Sequence, residues 1–400
     1  MPLFPQEALN DGVRKREVFG WAMYDFANSG YTTVVLTAVF NAYFVGVVAG
    51  NAPWATLAWT LTLGASSLLV MLLMPAIGKY ADQHGNKKRL LALTTLGCVL
   101  ATIGLAWAGR GDVALAVALV LLSNLFYSFG DSLNSAFLPE LAREKAMGRV
   151  SGWGWSFGYI GGMLSLGLSL AWVLAAQKRG EPATSFVPVT LLITAAVYSL
   201  ASLATFALLR ERAVKVAPGS RAADGETASL ANLAATWREA RRFPDFVWLL
   251  VCTTGYQAGI SVVIALAAVY AEQVLGFRQI DSMMLIFLVN IAAALGAFGF
   301  GYWQDRVGHK RALTAALVGW CVATVMAVMS TGPGLFWCAA VLAGVCMGAS
   351  QSAGRTLVGL FAPRGRRAEF FGLWTFATRL SAIMGPVTYG VVNLLSGGNH

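Results

Sequence analysis

Long apolar runs, each about 20 residues or more and separated by short polar stretches, fill the chain beyond residue 20. As a helix, a run of that length crosses a hydrocarbon core about 30 Å thick. Eleven such runs predict eleven membrane spans, at residues 21–48, 54–80, 90–108, 113–139, 150–176 and 186–209, then 246–271, 280–303, 312–331, 334–361 and 370–395. One polar stretch, 210–245, is much longer than the others. It opens with a Pro- and Gly-containing run at 218–225. It continues with Leu230, Leu233, Ala234 and Trp237 at helical spacing until Pro244, which predicts a linker plus a short amphipathic helix on the membrane surface. The expected organisation is a helical bundle over 1–209, this linker over 210–245 and a second bundle over 246–400.

Composition supports lipid as the solvent. Hydrophobic residues make up 57% and charged residues 12% of the 400 residues, too little charge to cover a soluble fold of this size. The basic residues are not scattered at random. Of the 29 Lys and Arg, 23 lie in the N-terminus and every second loop, 4 (Arg110, Lys178, Arg179, Arg278) in the alternate loops, and Arg355 and Arg379 inside helices. The positive-inside rule then places the N-terminus in the cytoplasm. The formal charge of +10 therefore reads as topology signals and contacts with anionic lipid, and nucleic-acid binding is not expected. The first apolar run is about twice as long as a signal-peptide core and contains Asp25 and Asn28, so it is read as a span and not as a cleaved leader. The five cysteines fall in expected helices without metal-ligand spacing and are read as small packing residues.

The two halves repeat each other. Gly78, Asp82, Gly85 and Lys87 after the second span correspond to Gly301, Asp305, Gly308 and Lys310 after the eighth, all at an offset of 223. Phe137, Pro139 and Gly161 correspond to Phe361, Pro363 and Gly385 at an offset of 224. A fixed offset over a long stretch signals a duplicated helical unit. Within each loop the glycines permit a tight turn and close helix approach, the Asp can accept hydrogen bonds at a helix end, and the basic pair stays with the headgroups.

The doubled pattern G-x-x-x-D-x-x-G-x-[RK]-[RK] resembles the signature of the major facilitator superfamily. The run from Trp21 through Tyr24, Asp25, Asn28, Ser29, Gly30 and Tyr31 carries a narrower resemblance. With Leu133-Asn134, Leu138-Pro139-Glu140 and the glycine-rich stretch Ser151-Gly152 to Gly161-Gly162, it is similar to the autophagy-related vacuolar amino-acid effluxers and their bacterial relatives. The resemblance implies an all-α membrane protein of the major facilitator fold with two pseudo-symmetric six-helix halves. It also implies efflux of amino acids or similar solutes. The superfamily has twelve helices, whereas eleven are visible here and the sequence stops at 396–400; truncation and a genuine end are both left open.

Polar residues inside a membrane helix are costly and become candidate functional groups. Asn124, Tyr127, Ser128, Asp131 and Asn134 share one face of the fourth span; Asp25 and Asn28 share one of the first. The resemblance implies that these faces, with those of the neighbouring spans, line a central cavity. Candidate substrate contacts are Arg379, Asn28, Asn124, Tyr127, Trp155, Tyr159, Gln257, Gln351 and Trp374. Candidate coupling or gating residues are Asp25, Asp131, Arg355, Asp82 and Asp305. Asp131 and Arg355 are equivalent by the 224 offset and are expected to face each other, as a structural or gating ion pair or as a proton-coupling site. Asp25 is expected about one turn inside the cytoplasmic boundary, suited to a gate or to capping together with Asn28. Trp155 and Tyr159 read as cavity lining or as ordinary packing. Arg379, near mid-membrane, suits a substrate carboxylate or phosphate. His84 and His309 are expected in loops without a proton role.

No nucleophile–base pair, phosphate-cradling loop or metal cluster stands out, so no enzyme activity, cofactor or metal is expected. The function expected is alternating-access, proton-coupled efflux of a small polar, anionic or zwitterionic solute by a monomer in a bacterial plasma membrane. The alternatives are export of amphipathic or lipid-like compounds, or a membrane sensor that binds solute without transport.

Overall fold

A computed structural model of the chain describes residues 4–212, 236–273, 275–277 and 279–395. Among them are eleven long helices: α1 Lys15–Val48, α2 Ala55–His84, α3 Lys87–Gly104, α4 Val113–Ser135, α5 Met147–Lys178 and α6 Ala183–Leu208, followed by α7 Pro244–Gln273, α8 Gln279–Val307, α9 His309–Val328, α10 Pro333–Phe361 and α11 Arg367–Leu395. Ten are long and apolar enough to cross a membrane. No strand occurs among the described residues beyond one isolated bridge between Leu9 and Ala142. Large apolar side chains such as Leu57, Leu61, Leu200, Leu203 and Leu295 are exposed on the outside of the bundle, as a lipid solvent allows. Of the expected 210–245 linker, residues 213–235 lie outside the described residues, as does the chain end at 396–400. The described piece at 236–240 is helical, and Trp237 packs against Phe376 of α11 with ring centroids 6.5 Å apart.

Three helix boundaries differ from expectation in ways that matter. α1 begins at Lys15, six residues before its apolar run, because Glu17 makes a reciprocal cap with Arg14 and is buried against Arg212 at 2.6 Å. His84 closes α2 and His309 opens α9, so both histidines are helix ends and not loop residues. Each is followed or preceded by a motif glycine with positive φ, Gly85 at 59° and Gly308 at 96°, where an L side chain would be strained.

Within the first half α1 packs on α5 and α6, and α3 on α4; within the second α8 and α9 pack on α10, and α7 on α11. The halves meet chiefly through α2 with α11 and α5 with α8. Glycines set these distances. A side chain on Gly161 would strike the carbonyl of Phe26 in α1, and one on Gly385 would strike the carbonyl of Ala258 in α7. The 224-offset pair thus does the same job in each half: it brings backbone against backbone, the usual source of helix affinity in lipid. Gly78 receives the backbone of Ala368 and Glu369, and Gly301 receives that of Gly148 and Arg149, so the 223-offset pair does the equivalent job between halves.

Gly161→Ala is expected to cost about 1–3 kcal/mol through overpacking. Gly167, on the same helix, has open space around its Cα. Thermal unfolding in detergent should therefore show Gly161→Ala melting several degrees lower and Gly167→Ala unchanged or higher; equal melting of the two would mean the α1–α5 contact yields freely.

Candidate functional site

At the end of the bundle that carries the N-terminus, here called the basic face, each motif aspartate reaches across to the opposite half. Asp82 of α2 accepts the backbone N–H of Glu369 in the first turn of α11 at 2.9 Å. Asp305 of α8 accepts the N–H groups of Gly148 and Arg149 in the first turn of α5, at 2.8 and 3.1 Å, and Arg149 Nε at 3.1 Å. Both carboxylates thus sit at helix N-termini, where unpaired amides and the helix dipole favour negative charge. Moving the halves apart at this face breaks both sets of bonds.

One layer deeper lies the ion pair that joins α1 to α10. Arg355 Nη1 donates to Asp25 at 2.6 Å, and its other nitrogens donate to Ser151 of α5, to the hydroxyl at 3.2 Å and the carbonyl at 2.8 Å. The guanidinium lies against the Trp21 and Trp155 rings, 4.8 and 5.1 Å from their centroids. Asn134 donates to the second Asp25 oxygen at 3.0 Å, and Trp21 in turn donates to the Asn134 carbonyl at 2.8 Å. Arg355 is 1% exposed and Asp25 6%, so the pair is buried and fully satisfied. Gly154 makes room for it: any side chain there would strike Asp25, Arg355 and Trp21.

This corrects the expected partner of Arg355, which is Asp25 and not Asp131. With α1 starting at Lys15, Asp25 lies ten residues, about 15 Å, along the helix, on the face that meets Gly154 of α5 and Arg355 of α10. Asp131 is half-buried, makes no ion pair among the described residues, and accepts one hydrogen bond, from Asn28 at 3.2 Å. Asn28 is held by Tyr198, which donates to its carbonyl at 3.1 Å and also meets Tyr24 at 3.2 Å.

Arg379 is twelve residues into α11, about 18 Å by helix rise. It too has no carboxylate partner among the described residues; its one hydrogen bond runs to the Ser128 hydroxyl at 2.6 Å. Ser128 is one turn before Asp131 on α4, so Arg379 and Asp131 face the same space. Tyr127 lies within electrostatic reach of both and packs on Tyr31, with centroids 5.3 Å apart. The structure joins Tyr159 to Gln351 by a hydrogen bond between α5 and α10. Trp374 and Trp155 have buried ring N–H groups without partners among the described residues, as does the Tyr256 hydroxyl. Asn124 is buried with its side-chain carbonyl unpartnered, and no contact brings it or Gln257 to Arg379. Sequence reasoning set Ser128 on the polar face of the fourth span without naming it as a contact, and passed over Tyr198, Tyr256, Trp21 and Gly154 as site residues. Of these four, Trp21 and Gly154 stood inside runs that carried the family resemblance.

The model of the family described as vacuole effluxer Atg22 like matches residues 47–397. The chain belongs to that family. It is 26% identical over 383 residues to the MFS-type transporter YxiO of Bacillus subtilis (strain 168), covering 94% of this chain and 88% of that protein. It is 23% identical over 305 residues to Autophagy-related protein 22 of Yarrowia lipolytica, covering 68% of this chain and 50% of that one. The fold is similar to that of the human organic anion transporter MFSD10, with TM-score 0.70, 16% identity and coverage of 96% and 94%. This Atg22-like chain is therefore a major facilitator transporter and an integral membrane protein, and the two halves described above are those of that fold.

Removing one member of a buried ion pair strands the other and costs about 3–5 kcal/mol, whereas replacing both by apolar groups of similar volume can be nearly neutral. Arg355→Met alone is therefore expected to destabilise the transporter more than Arg355→Met combined with Asp25→Leu. A thermal-unfolding cycle in detergent measures this, and additive effects of the two substitutions would show that Asp25 and Arg355 are not coupled.

Proposed function

We propose that this protein exports a small solute bearing a carboxylate, an amino acid or a close relative, by proton-coupled alternating access. The observation that carries the proposal is a pair of charges without ion-pair partners among the described residues, Arg379 and Asp131, each held by a single neutral side chain, with Arg379 bonded to Ser128 one turn from Asp131 on α4. Such a charge needs a partner. A solute carboxylate fits the fork of Arg379, and a solute ammonium or a proton fits Asp131. Trp155 and Trp374 supply unused ring N–H groups for polar atoms of the solute.

Several further parts of the reading rest on this. The excess of Lys and Arg in the N-terminus and alternate loops supports taking the basic face as cytoplasmic, in a bacterial plasma membrane. The halves, 1–209 and 246–400 on either side of the 210–245 linker, rock about the central site. Asp82, Asp305 and the Asp25–Arg355 pair act as the cytoplasmic gate, since all three bridge the halves there. The family's description as effluxers favours export as the direction.

Arg379→Lys keeps the charge but loses the planar fork. It is expected to weaken binding of a carboxylated substrate at least tenfold at unchanged melting temperature. The substrate is first found by thermal-shift screening of a metabolite library. Equal affinity in the variant would favour the amphipathic-cargo alternative and end this reading. Asp131→Asn is expected to abolish proton-driven transport in proteoliposomes while counterflow exchange persists. Intact proton coupling in that variant would remove Asp131 from the mechanism, and a wild-type protein that binds without any flux would be a sensor.

A further inference from the structure

The basic face holds a cavity of about 910 Å³ that transport through the central site does not use. Its walls come from both halves: the α2–α3 turn and the α4–α5 loop on one side, the α10–α11 loop on the other. Most of its acids are already engaged. Asp82 caps α11, Asp11 pairs with Arg143 at 2.8 Å, and Glu140 pairs with Lys87, which is itself buried. Glu144, on the exposed loop, has no partner among the described residues, and Glu140 keeps one buried oxygen, Oε2, without a hydrogen bond there.

The cations are in surplus. Lys145 and Arg364 line the cavity and make no hydrogen bond or ion pair among the described residues. Arg367 Nε is buried without a hydrogen-bond partner, and the carboxylate nearest its guanidinium, that of Glu140, is 4.0 Å away and already taken by Lys87. Arg364 and Arg367 also act on each other as like charges. Three helices begin here as well: α3 at Lys87, α5 at Met147 and α11 at Arg367, and all three residues line the cavity. Their N-terminal amides and dipole ends add positive potential where the free cations already stand.

We propose that this cavity binds a small polyvalent anion of the phosphate or phosphate-ester class. The anion is held between Lys145 of the first half and Arg364 and Arg367 of the second. A ligand bridging the two halves binds the state closed at this face better than the state opened there, and so shifts the population toward the closed one. The closing role rests on the alternating-access reading; the binding does not. The same chemistry is offered by a soluble phosphate compound and by the headgroup of an anionic lipid.

The test uses the full-length protein in neutral detergent with inorganic pyrophosphate as the probe, at fixed ionic strength, read by calorimetric titration and thermal shift. Saturable binding and a raised melting temperature are expected. Lys145→Gln with Arg364→Gln, both at exposed side chains, should weaken the affinity at least tenfold, while Arg379→Lys should leave it unchanged. No saturable binding, or equal affinity in the double variant, overturns the site; loss in Arg379→Lys places the anion in the central cavity and overturns it too. Nanodiscs then separate the sources. Phosphatidylglycerol that competes with pyrophosphate, where phosphatidylcholine does not, makes the headgroup the occupant, and equal affinity in both lipids makes it a soluble anion. For the closing role, Ser352→Cys sits at a buried position next to the gate. Its labelling, resolved by mass spectrometry, should slow when pyrophosphate is bound, and binding with unchanged labelling overturns that role.

Discussion

A charge buried in a membrane protein has to bring its partners with it, and the Asp25–Arg355 pair shows how much structure that demands. The guanidinium uses one carboxylate, one hydroxyl and one backbone carbonyl, and fills its remaining surface with the faces of Trp21 and Trp155. These groups come from α1, α5 and α10, so three helices from two halves must converge within side-chain reach. That convergence is possible because α5 offers no side chain at Gly154, Gly158 or Gly161, where it crosses α1. The glycine face sets the distance, and the ion pair fixes the register. Without the pair, the same close approach would have no reason to hold α10 against the first half.

The layer above follows from the same logic in milder form. Asp82 and Asp305 lie near the ends of their helices, and each accepts amides of a helix start in the opposite half, Asp305 with the Arg149 guanidinium beside it as well. Their glycine neighbours, Gly78 and Gly301, admit the opposing backbone. The N-terminal segment adds a strap outside this layer. Asn10 and Ala8 exchange backbone hydrogen bonds with Leu141 and Arg143, and Phe4 packs edge-on against Trp153 at 4.8 Å. Trp153 in turn donates to Tyr302 across the α5–α8 contact.

Much of this was legible in the sequence, because lipid imposes a simple rule on length and polarity. The eleven apolar runs and the doubled motif lead directly to the helices and to the inter-half aspartates. The partner of Arg355 was not legible. The 224 offset equates Asp131 with Arg355 in position, but equivalent positions under a pseudo-two-fold need not touch. What seats Arg355 on Asp25 is the close approach of α5 at Gly154, a tertiary contact that the offset does not encode. The Ser128–Arg379 bond was hidden for a different reason: a serine on a polar face carries no mark of which distant helix it will meet. The strap at Phe4–Val13 has no periodicity at all, and its contacts are almost wholly backbone and packing.

The repeat also shows where the two halves have parted. Positions that set helix distance are the same residue in both copies: Gly78 with Gly301, Asp82 with Asp305, Gly161 with Gly385. Positions at the central site are not: Asp131 corresponds to Arg355, and Trp155 to Arg379. As a result the acids, Asp25 and Asp131, stand on the first half and the arginines on the second. One acid and one arginine cancel each other at the gate, which leaves one of each facing the cavity. An occupant that keeps this space neutral then has two forms. A zwitterion satisfies both charges with Asp131 ionised, whereas a simple anion satisfies Arg379 only if Asp131 carries a proton. On the proposed reading, proton coupling is thus a consequence of charge balance at the site, and the charge of the cargo sets how many protons move with it.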